Sequence, residues 1–264
     1  MYNIERKSEI INILEQNGKA YVNELAERFH ASKETIRRDL REMEEDGVLK
    51  RTHGGAVLQS TNAAAPSEYP VSVREIQRYQ EKNAICKRAA SHIRDGDIVF
   101  ADNSSTCIYL TRYIPADIRV TILTNSIKLM LESLNHRNPN HLIMCLGGVF
   151  NGSNLSLYGN MTLKTAGEFR PNKAFMSCTG IHPQSQLADS SVLEVDTKRL
   201  MIERAQEVYI LADHSKFERS GQVYLCDISE VDYVITDNKT KKEDAAFLNE
   251  QGVELIIAQE QIDN

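Results

Sequence analysis

The first sixty residues carry apolar positions at helical spacing, broken by turn residues. Ile4, Ile10, Ile11, Ile13 and Leu14 recur in this way up to Asn17-Gly18, a strong helix stop, so a helix is predicted over 3–16. Ala20-Tyr21-Val22 reads as a short extended stretch. Leu25, Ala26 and Phe29 then mark a second, short amphipathic helix over 23–30, with His30-Ala31 as the turn that follows. Ser32 is a good N-cap for a third helix, and Glu34 lies in its first turn, facing the positive helix end. With Ile36 set at zero and about 100° per residue, Leu40 and Met43 fall within about 40° of it and form the buried stripe. On the same count Arg37, Arg41 and Arg38 land at about 100°, 140° and 200°, opposite the core. Residues 47–57 then read as strand, Gly54-Gly55 turn and strand, a β-hairpin with Lys50, Arg51 and His53 near its tip.

From Gln59 to Ser67 the chain is small, polar and non-periodic, and Pro70 prolongs the irregular stretch. This divides the chain into a domain over 1–58, a linker over 59–74 and a domain over 75–264. Helical spacing resumes at Ile76, runs through Ile85, Ala89 and Ile93, and stops at Arg94-Asp95-Gly96-Asp97. Beyond it, apolar β-type runs appear at 98–101, 119–123, 142–146, 174–177, 208–212, 233–236 and 254–257. Helical stretches are predicted between most of them, at 105–113, 126–135, 160–169, 191–206 and 243–250. Alternation of β and α implies a mostly parallel sheet covered on both faces, a Rossmann-like α/β domain. The runs are continuous rather than alternating, as strands buried on both sides require.

In such a sheet ligands bind beyond the C-terminal strand ends. Those ends read Asp102-Asn103-Ser104-Ser105-Thr106, Thr124-Asn125-Ser126, Gly147-Gly148, Thr179-Gly180 and Asp213-His214-Ser215-Lys216. Hydroxyls and backbone N–H groups at the start of the helix predicted over 105–113 suit a small polar anion. Such residues also cap helices and build turns wherever they occur.

Composition changes this picture in three respects. The chain has 264 residues and a net charge of −6, so it is long for one domain and not basic. Residues 1–58 hold ten Lys and Arg against eleven Asp and Glu, so an interaction with nucleic acid rests on where the positive charge sits. Five cysteines are scattered without a C-x-x-C pair, which points to buried free thiols and away from disulfides or a zinc site. No apolar run reaches about 18 residues and the charged N-terminus lacks a signal-peptide core, so a cytoplasmic protein is expected, with no membrane partner. No metal or cofactor is expected.

A short helix, a turn, an Arg-faced helix and a basic hairpin make the winged form of the helix-turn-helix. Ser32, Lys33 and Thr35 stand at the helix start, where such a helix touches bases and backbone, and Arg37, Arg38 and Arg41 form its outer face. The stretch Ser32-Lys33-Glu34-Thr35-Ile36-Arg37-Arg38-Asp39-Leu40, with Leu49-Lys50-Arg51-Thr52-His53-Gly54-Gly55-Ala56, closely resembles the N-terminal signature of the DeoR family of bacterial transcriptional regulators. The resemblance implies Thr35, Arg37 and Arg38 on a recognition helix, Arg51 and His53 in the wing, and double-stranded operator DNA as partner.

The strand ends of the second domain resemble the effector domain of the same family, which is similar in fold to ribose-5-phosphate isomerases and CoA transferases. That resemblance implies a phosphorylated sugar or related metabolite as ligand. Asp102, Ser104, Ser105 and Thr106 would cradle the phosphate, and Asn125, Gly147, Gly148 and Gly180 would line the pocket. Lys198, Asp213 and Lys216 would reach the sugar or phosphate. Ser104 departs from the glycine of many relatives and narrows the backbone approach. Lys198 also has Glu194 four residues back, within reach of an ordinary surface pair.

The leading expectation is a metabolite-controlled repressor of a carbohydrate operon, acting as a homo-dimer or homo-tetramer. The alternatives are a sugar-phosphate isomerase carrying a DNA-binding domain, and a pure interaction protein. For the isomerase, Glu194, Asp213 and Lys198 are candidate acid–base groups, but no spacing pairs them.

Overall fold

The apolar stripe of the first helix is buried as its spacing predicts. In the computed structural model of the chain, which describes residues 3–58, 70–182, 186–217, 219 and 221–259, α1 (Asn3–Asn17) buries Ile10, Ile11, Ile13 and Leu14. The extended stretch after it is β1 (Lys19–Tyr21), followed by α2 (Val22–Arg28) and α3 (Lys33–Glu45). The hairpin is β2 (Leu49–Thr52) and β3 (Gly55–Leu58), and β3 also pairs antiparallel with β1, giving a three-stranded sheet in the order β1-β3-β2. Ile36, Leu40 and Met43 of α3 close the core against α1 and α2, as the angular count requires. A second tie lies beneath them: Arg6 of α1 donates to fully buried Asp39 of α3 through Nε at 2.5 Å and Nη2 at 3.1 Å. Burying one side of such a pair without the other leaves an uncompensated charge, so this pair fixes α3 on α1.

The two glycines of the hairpin serve different ends. Gly54 sits in the turn with φ at +90°, a region open to glycine. Gly55 begins β3 where a Cβ would fall 2.1 Å from the carbonyl oxygen of Ala20, so only glycine lets β3 lie on β1.

The chain divides into compact units at Met1–Tyr79 and Gln80–Asn264. The linker expected over 59–74 therefore differs from what is found. Residues 59–69 lie outside the described residues, and α4 (Val71–Ile76) places Val73 and Ile76 in the core of the first unit. Their spacing of three gives this short helix an apolar side to lay on α1, which carries the boundary past 75.

The second unit begins with α5 (Tyr79–Ala90) and continues through β4 (Ile98–Ala101), β5 (Val120–Thr124), α6 (Ile127–Ser133) and β6 (His141–Cys145). A hairpin of β7 (Val149–Asn151) and β8 (Ser156–Tyr158) leads to α7 (Asn160–Gly167) and β9 (Lys173–Met176). Then come β10 (Gly180–His182), β11 (Gln186–Asp189), α8 (Val195–Arg204), β12 (Glu207–Leu211), β13 (Val223–Asp227), β14 (Tyr233–Asp237), α9 (Lys242–Glu250) and β15 (Glu254–Ala258). All seven apolar runs are strands of one parallel sheet, ordered β15-β14-β12-β9-β4-β5-β6. Phe100, Leu123, Met176, Ile210 and Val234 of these strands pack with Ala166 of α7, Met201 of α8 and Leu248 of α9.

The winding reverses between β4 and β9, which are neighbours in the sheet although far apart in sequence. The loops after these two strands therefore flank the crevice where open α/β sheets bind ligands.

Two expectations need correction. The helix expected over 105–113 is a six-residue 3-10 helix, Cys107–Arg112, confined between the loop at 102–106 and Pro115. Of the five free cysteines four are buried, but Cys145 is exposed at the end of the edge strand β6. Among the described residues, no helix is long and apolar enough to cross a membrane.

Candidate functional site

Each unit presents a candidate surface. On the first, the start of α3 is set by Ser32, whose Oγ accepts from Thr35 N at 3.1 Å and lies 2.9 Å from Thr35 Oγ1. With that end fixed, Lys33, Arg37, Arg38 and Arg41 are exposed and Thr35 is half-buried. Arg37 stands 3.7 Å from Glu34, an exposed i,i+3 pair of the kind that contributes little and yields readily to a stronger anion.

The wing is tied to this helix through Glu44, which composition and spacing did not single out. One carboxylate oxygen accepts the Arg51 backbone N–H at 2.8 Å and the other accepts Arg51 Nε at 2.8 Å. These bonds hold the Glu44 carboxyl below its ordinary pKa. Arg51 thus joins the β2–β3 hairpin to α3, while Lys50 and His53 are exposed beside it.

On the second unit, the loop at 102–106 is built from buried polar groups. Asp102 Oδ1 accepts from Ser104 N and Oδ2 from Ser177 N, both at 3.0 Å, so one carboxylate joins the loops after β4 and β9 across the switch point. Ser104 turns its hydroxyl inward and accepts from Cys107 N at 3.2 Å. A 3-10 helix of this length brings no appreciable macrodipole, and the cation beside the loop is a side chain. It is Lys82 of α5, which the sequence reading missed: its buried Nζ donates to Ser105 Oγ at 3.0 Å. The neighbouring Cys86 donates its thiol to Thr106 O at 2.8 Å, and burial pushes its pKa up to about 12, so it is a neutral structural group.

Asn125 reaches the same crevice from β5. Its Nδ2 donates to Asn103 Oδ1 at 3.3 Å and to Leu157 O at 3.0 Å, while its buried Oδ1 has no partner among the described residues. Buried amide oxygens are normally satisfied, so this acceptor is open to a donor, whether water or a ligand. The glycines are largely accounted for by the chain itself. Gly147 O accepts from Thr162 Oγ1 at 2.6 Å, a Cβ on Gly148 would meet Thr162 Oγ1 at 2.1 Å, and one on Gly180 would meet Arg219 O at 1.9 Å.

Lys198 is neither a surface lysine nor paired with Glu194. It is buried and donates to Asp189 Oδ2 at 2.6 Å and to Ser177 O at 3.0 Å, and stands 3.2 Å from Asp102 Oδ2. Its three ammonium protons are met by protein acceptors, so Lys198 positions the loops. Burial raises the Asp189 carboxyl, but Lys198 and the N–H groups of Ser190 and Ser191 outweigh it and hold the pKa below the ordinary value.

Glu194 has a separate role that spacing did not reveal. Its buried carboxylate accepts from Asn103 Nδ2 at 2.9 Å, Asn151 Nδ2 at 3.0 Å, Asn154 Nδ2 at 2.9 Å and Ser156 Oγ. The β7–β8 hairpin is thereby stitched to the loop at 102–106. Asp213 accepts from Ser215 N at 3.0 Å and from its Oγ, capping a short 3-10 turn, and Lys216 is half-buried in that turn. Glu194, Asp213 and Lys198 are each committed to different partners and make no acid–base pair.

Both units match known family models. Residues 6–62 match the family model of the DeoR-like helix-turn-helix domain, and residues 77–238 that of the DeoR C terminal sensor domain. The chain is 30% identical to the HTH-type transcriptional regulator GolR of Listeria innocua, over 98% of this chain and 100% of that one. It is 31% identical to the glycerol-3-phosphate regulon repressor of Escherichia coli, over 90% and 92%. A solved ribose 5-phosphate isomerase from Methanocaldococcus jannaschii is similar with a TM-score of 0.37 and 14% identity, over 52% of this chain and 53% of that one.

Proposed function

The chain belongs to the DeoR family of helix-turn-helix transcriptional regulators, and from that membership we propose that it represses a carbohydrate operon until a phosphorylated sugar reaches its second unit. On this reading Ser32, Lys33, Thr35, Arg37, Arg38 and Arg41 of α3 meet operator DNA in the major groove, with His53 and the Arg51-bearing wing beside them. The guanidinium fork suits phosphate and guanine O6/N7 alike. The functional unit is a homo-dimer or homo-tetramer, because a single recognition helix binds modestly and paired half-sites multiply affinity.

For the sensor, the observation that carries the reading is the buried pairing of Lys82 with Ser105 in a hydroxyl-lined loop, beside the unpartnered Oδ1 of Asn125. A phosphate at Ser104, Ser105 and Thr106 gains a cation from Lys82, and a sugar hydroxyl satisfies Asn125. Asp102 and Lys198 hold the cradle in shape, Gly147, Gly148 and Gly180 let its walls approach, and Asp213 and Lys216 close the far side. A relative named as the glycerol-3-phosphate regulon repressor fits a phosphorylated ligand.

Calorimetry with the full chain and a panel of sugar phosphates tests this site. A charge-assisted hydrogen bond contributes about 1.5–3 kcal/mol, so Lys82→Met is expected to weaken the binding sugar phosphate by roughly ten- to a hundred-fold. Unchanged affinity in K82M would remove Lys82 and its loop from the site.

A further inference from the structure

Strand β1 carries two exposed side chains that no contact described above uses, Lys19 and Tyr21. Register places them. Paired residues of an antiparallel sheet share a face, and successive residues alternate. Ala20 of β1 pairs with Ala56 of β3, and Ala56 with Arg51 of β2. These three form the inner face, where both alanines are buried and Arg51 reaches Glu44 of α3. The outer face therefore carries two rows, Lys19-Val57-Lys50 and Tyr21-Gly55-Thr52. Lys19, Tyr21, Lys50 and Thr52 are exposed. The six positions hold two cations, two hydroxyls and no carboxylate.

β1 is also pinned to the tip of the hairpin. Val22 N donates to Gly54 O at 2.9 Å, and Tyr21 stands directly opposite Gly55, beside the turn at His53-Gly54. Whatever the hairpin tip approaches, Tyr21 approaches with it. Lys19 Nζ lies 5.3 Å from the centre of the Tyr21 ring, a cation–π contact that places the ammonium next to the phenol and leaves its charge intact. Two carboxylates act on the lysines from outside the face. Glu24 acts on Lys19 and is exposed, and Glu44 acts on Lys50 but already accepts two bonds from Arg51. An exposed pair of this kind holds a lysine weakly. Lys19 and Lys50 lie two strand spacings apart, about 10 Å, across half-buried Val57. A positive strip of that length with hydroxyl donors alongside complements successive phosphates of a nucleic-acid strand, which take charge from lysine and hydrogen bonds from hydroxyl groups.

Resting on the reading that α3 and the hairpin hold duplex DNA, we infer that the outer face of this sheet binds the DNA backbone beside the segment met by α3. Lys19 and Lys50 supply charge to the phosphates, and the Tyr21 hydroxyl donates to a phosphate oxygen. Contacts of this kind add affinity and fix register without selecting sequence.

The test uses the full chain, a duplex that the wild-type chain enriches from a random-sequence pool, and a random-sequence duplex of the same length. Binding isotherms are taken at several salt concentrations. Lys19→Gln is expected to lower the salt slope by about one and to weaken both duplexes by the same factor. Tyr21→Phe keeps the ring under the ammonium and removes only the hydroxyl, so it is expected to weaken both duplexes by about two- to ten-fold with the slope unchanged. Both side chains are exposed, so both variants are expected to keep the wild-type melting temperature. Wild-type slope and affinity in K19Q and Y21F overturns the inference, as does a loss confined to the enriched duplex. An equal slope change in Lys242→Gln, an exposed lysine of the second unit, also overturns it, because the effect would then follow net charge. The double variant R37A/R38A is measured alongside. Loss of binding there, with none in K19Q and Y21F, removes β1 and leaves α3 on the DNA, whereas a wild-type chain that holds no duplex removes both.

Discussion

The double replacement of Arg37 and Arg38 by alanine is expected to lower operator affinity by roughly thirty-fold to twenty-thousand-fold at fixed salt. Each arginine lost from a base contact costs about 1–3 kcal/mol, and each 1.4 kcal/mol is about a factor of ten. Both side chains are exposed and sit opposite Ile36, Leu40 and Met43, so the variant keeps its core and its melting temperature. The partners on this face give only a weak restraint: Arg37 is 3.7 Å from an exposed Glu34. An arginine that meets phosphate instead of a base will reveal itself differently, lowering the salt slope of binding by about one while weakening all sequences alike. Binding isotherms at several salt concentrations separate the two roles. Wild-type affinity in the double variant would remove α3 from the DNA interface.

Lys198→Met is expected to destabilise the second unit by about 3–5 kcal/mol, the cost of leaving buried charges uncompensated. The ammonium stands between Asp189 and Asp102, and Asp102 in turn holds the backbone of Ser104 and Ser177. Denaturant unfolding reads the loss. The pair also has a pH signature: folding lowers the Asp189 pKa, so its contribution is complete above about pH 4 and fades as acid protonates the carboxylate. Adding Asp102→Asn and Asp189→Asn to K198M neutralises the stranded carboxylates and is expected to recover a large part of the stability. Full stability of K198M alone would mean that the three charges are not the support proposed for the cradle.

The seven strands of the parallel sheet were legible because a strand buried on both faces must be apolar throughout. The run at 208–212 stands out in this way against the polar helices around it, and its Val208 and Ile210 are buried core residues. Helix α3 was legible for the opposite reason: one face packs and the other does not, which separates Ile36, Leu40 and Met43 from the arginines. The β7–β8 hairpin and the β10-β11-β13 sheet left little pattern, since most of their strands span three or four residues, too few for a period to repeat. The α-helix expected over 105–113 tightened to 3-10 because the preceding polar loop and Pro115 leave it six residues.

At the sites, residue types were legible and partners were not. Lys198 has Glu194 at the helical spacing i−4, yet folding carries Asp189 and Asp102 to its side chain and gives Glu194 to Asn103, Asn151 and Asn154. Lys82 sits on a helix among other polar residues, and only the tertiary approach of α5 to the loop at 102–106 turns it into a buried cation on Ser105. Asp39 was part of a recognisable motif, but its reason is Arg6, 33 residues earlier. Pairs formed across such separations leave no periodic trace in one sequence.

The central claim is that occupancy of the second unit changes the grip of the first on DNA. Such coupling exists only if the ligand binds the DNA-competent and DNA-incompetent states with different affinity. The direct measurement is operator affinity of the full chain at fixed salt, with sugar phosphates titrated into the complex. The account predicts that at least one of them lowers operator affinity by about 5–150-fold, the usual range of allosteric coupling. Operator affinity that stays constant at concentrations where calorimetry shows the second unit saturated would contradict it.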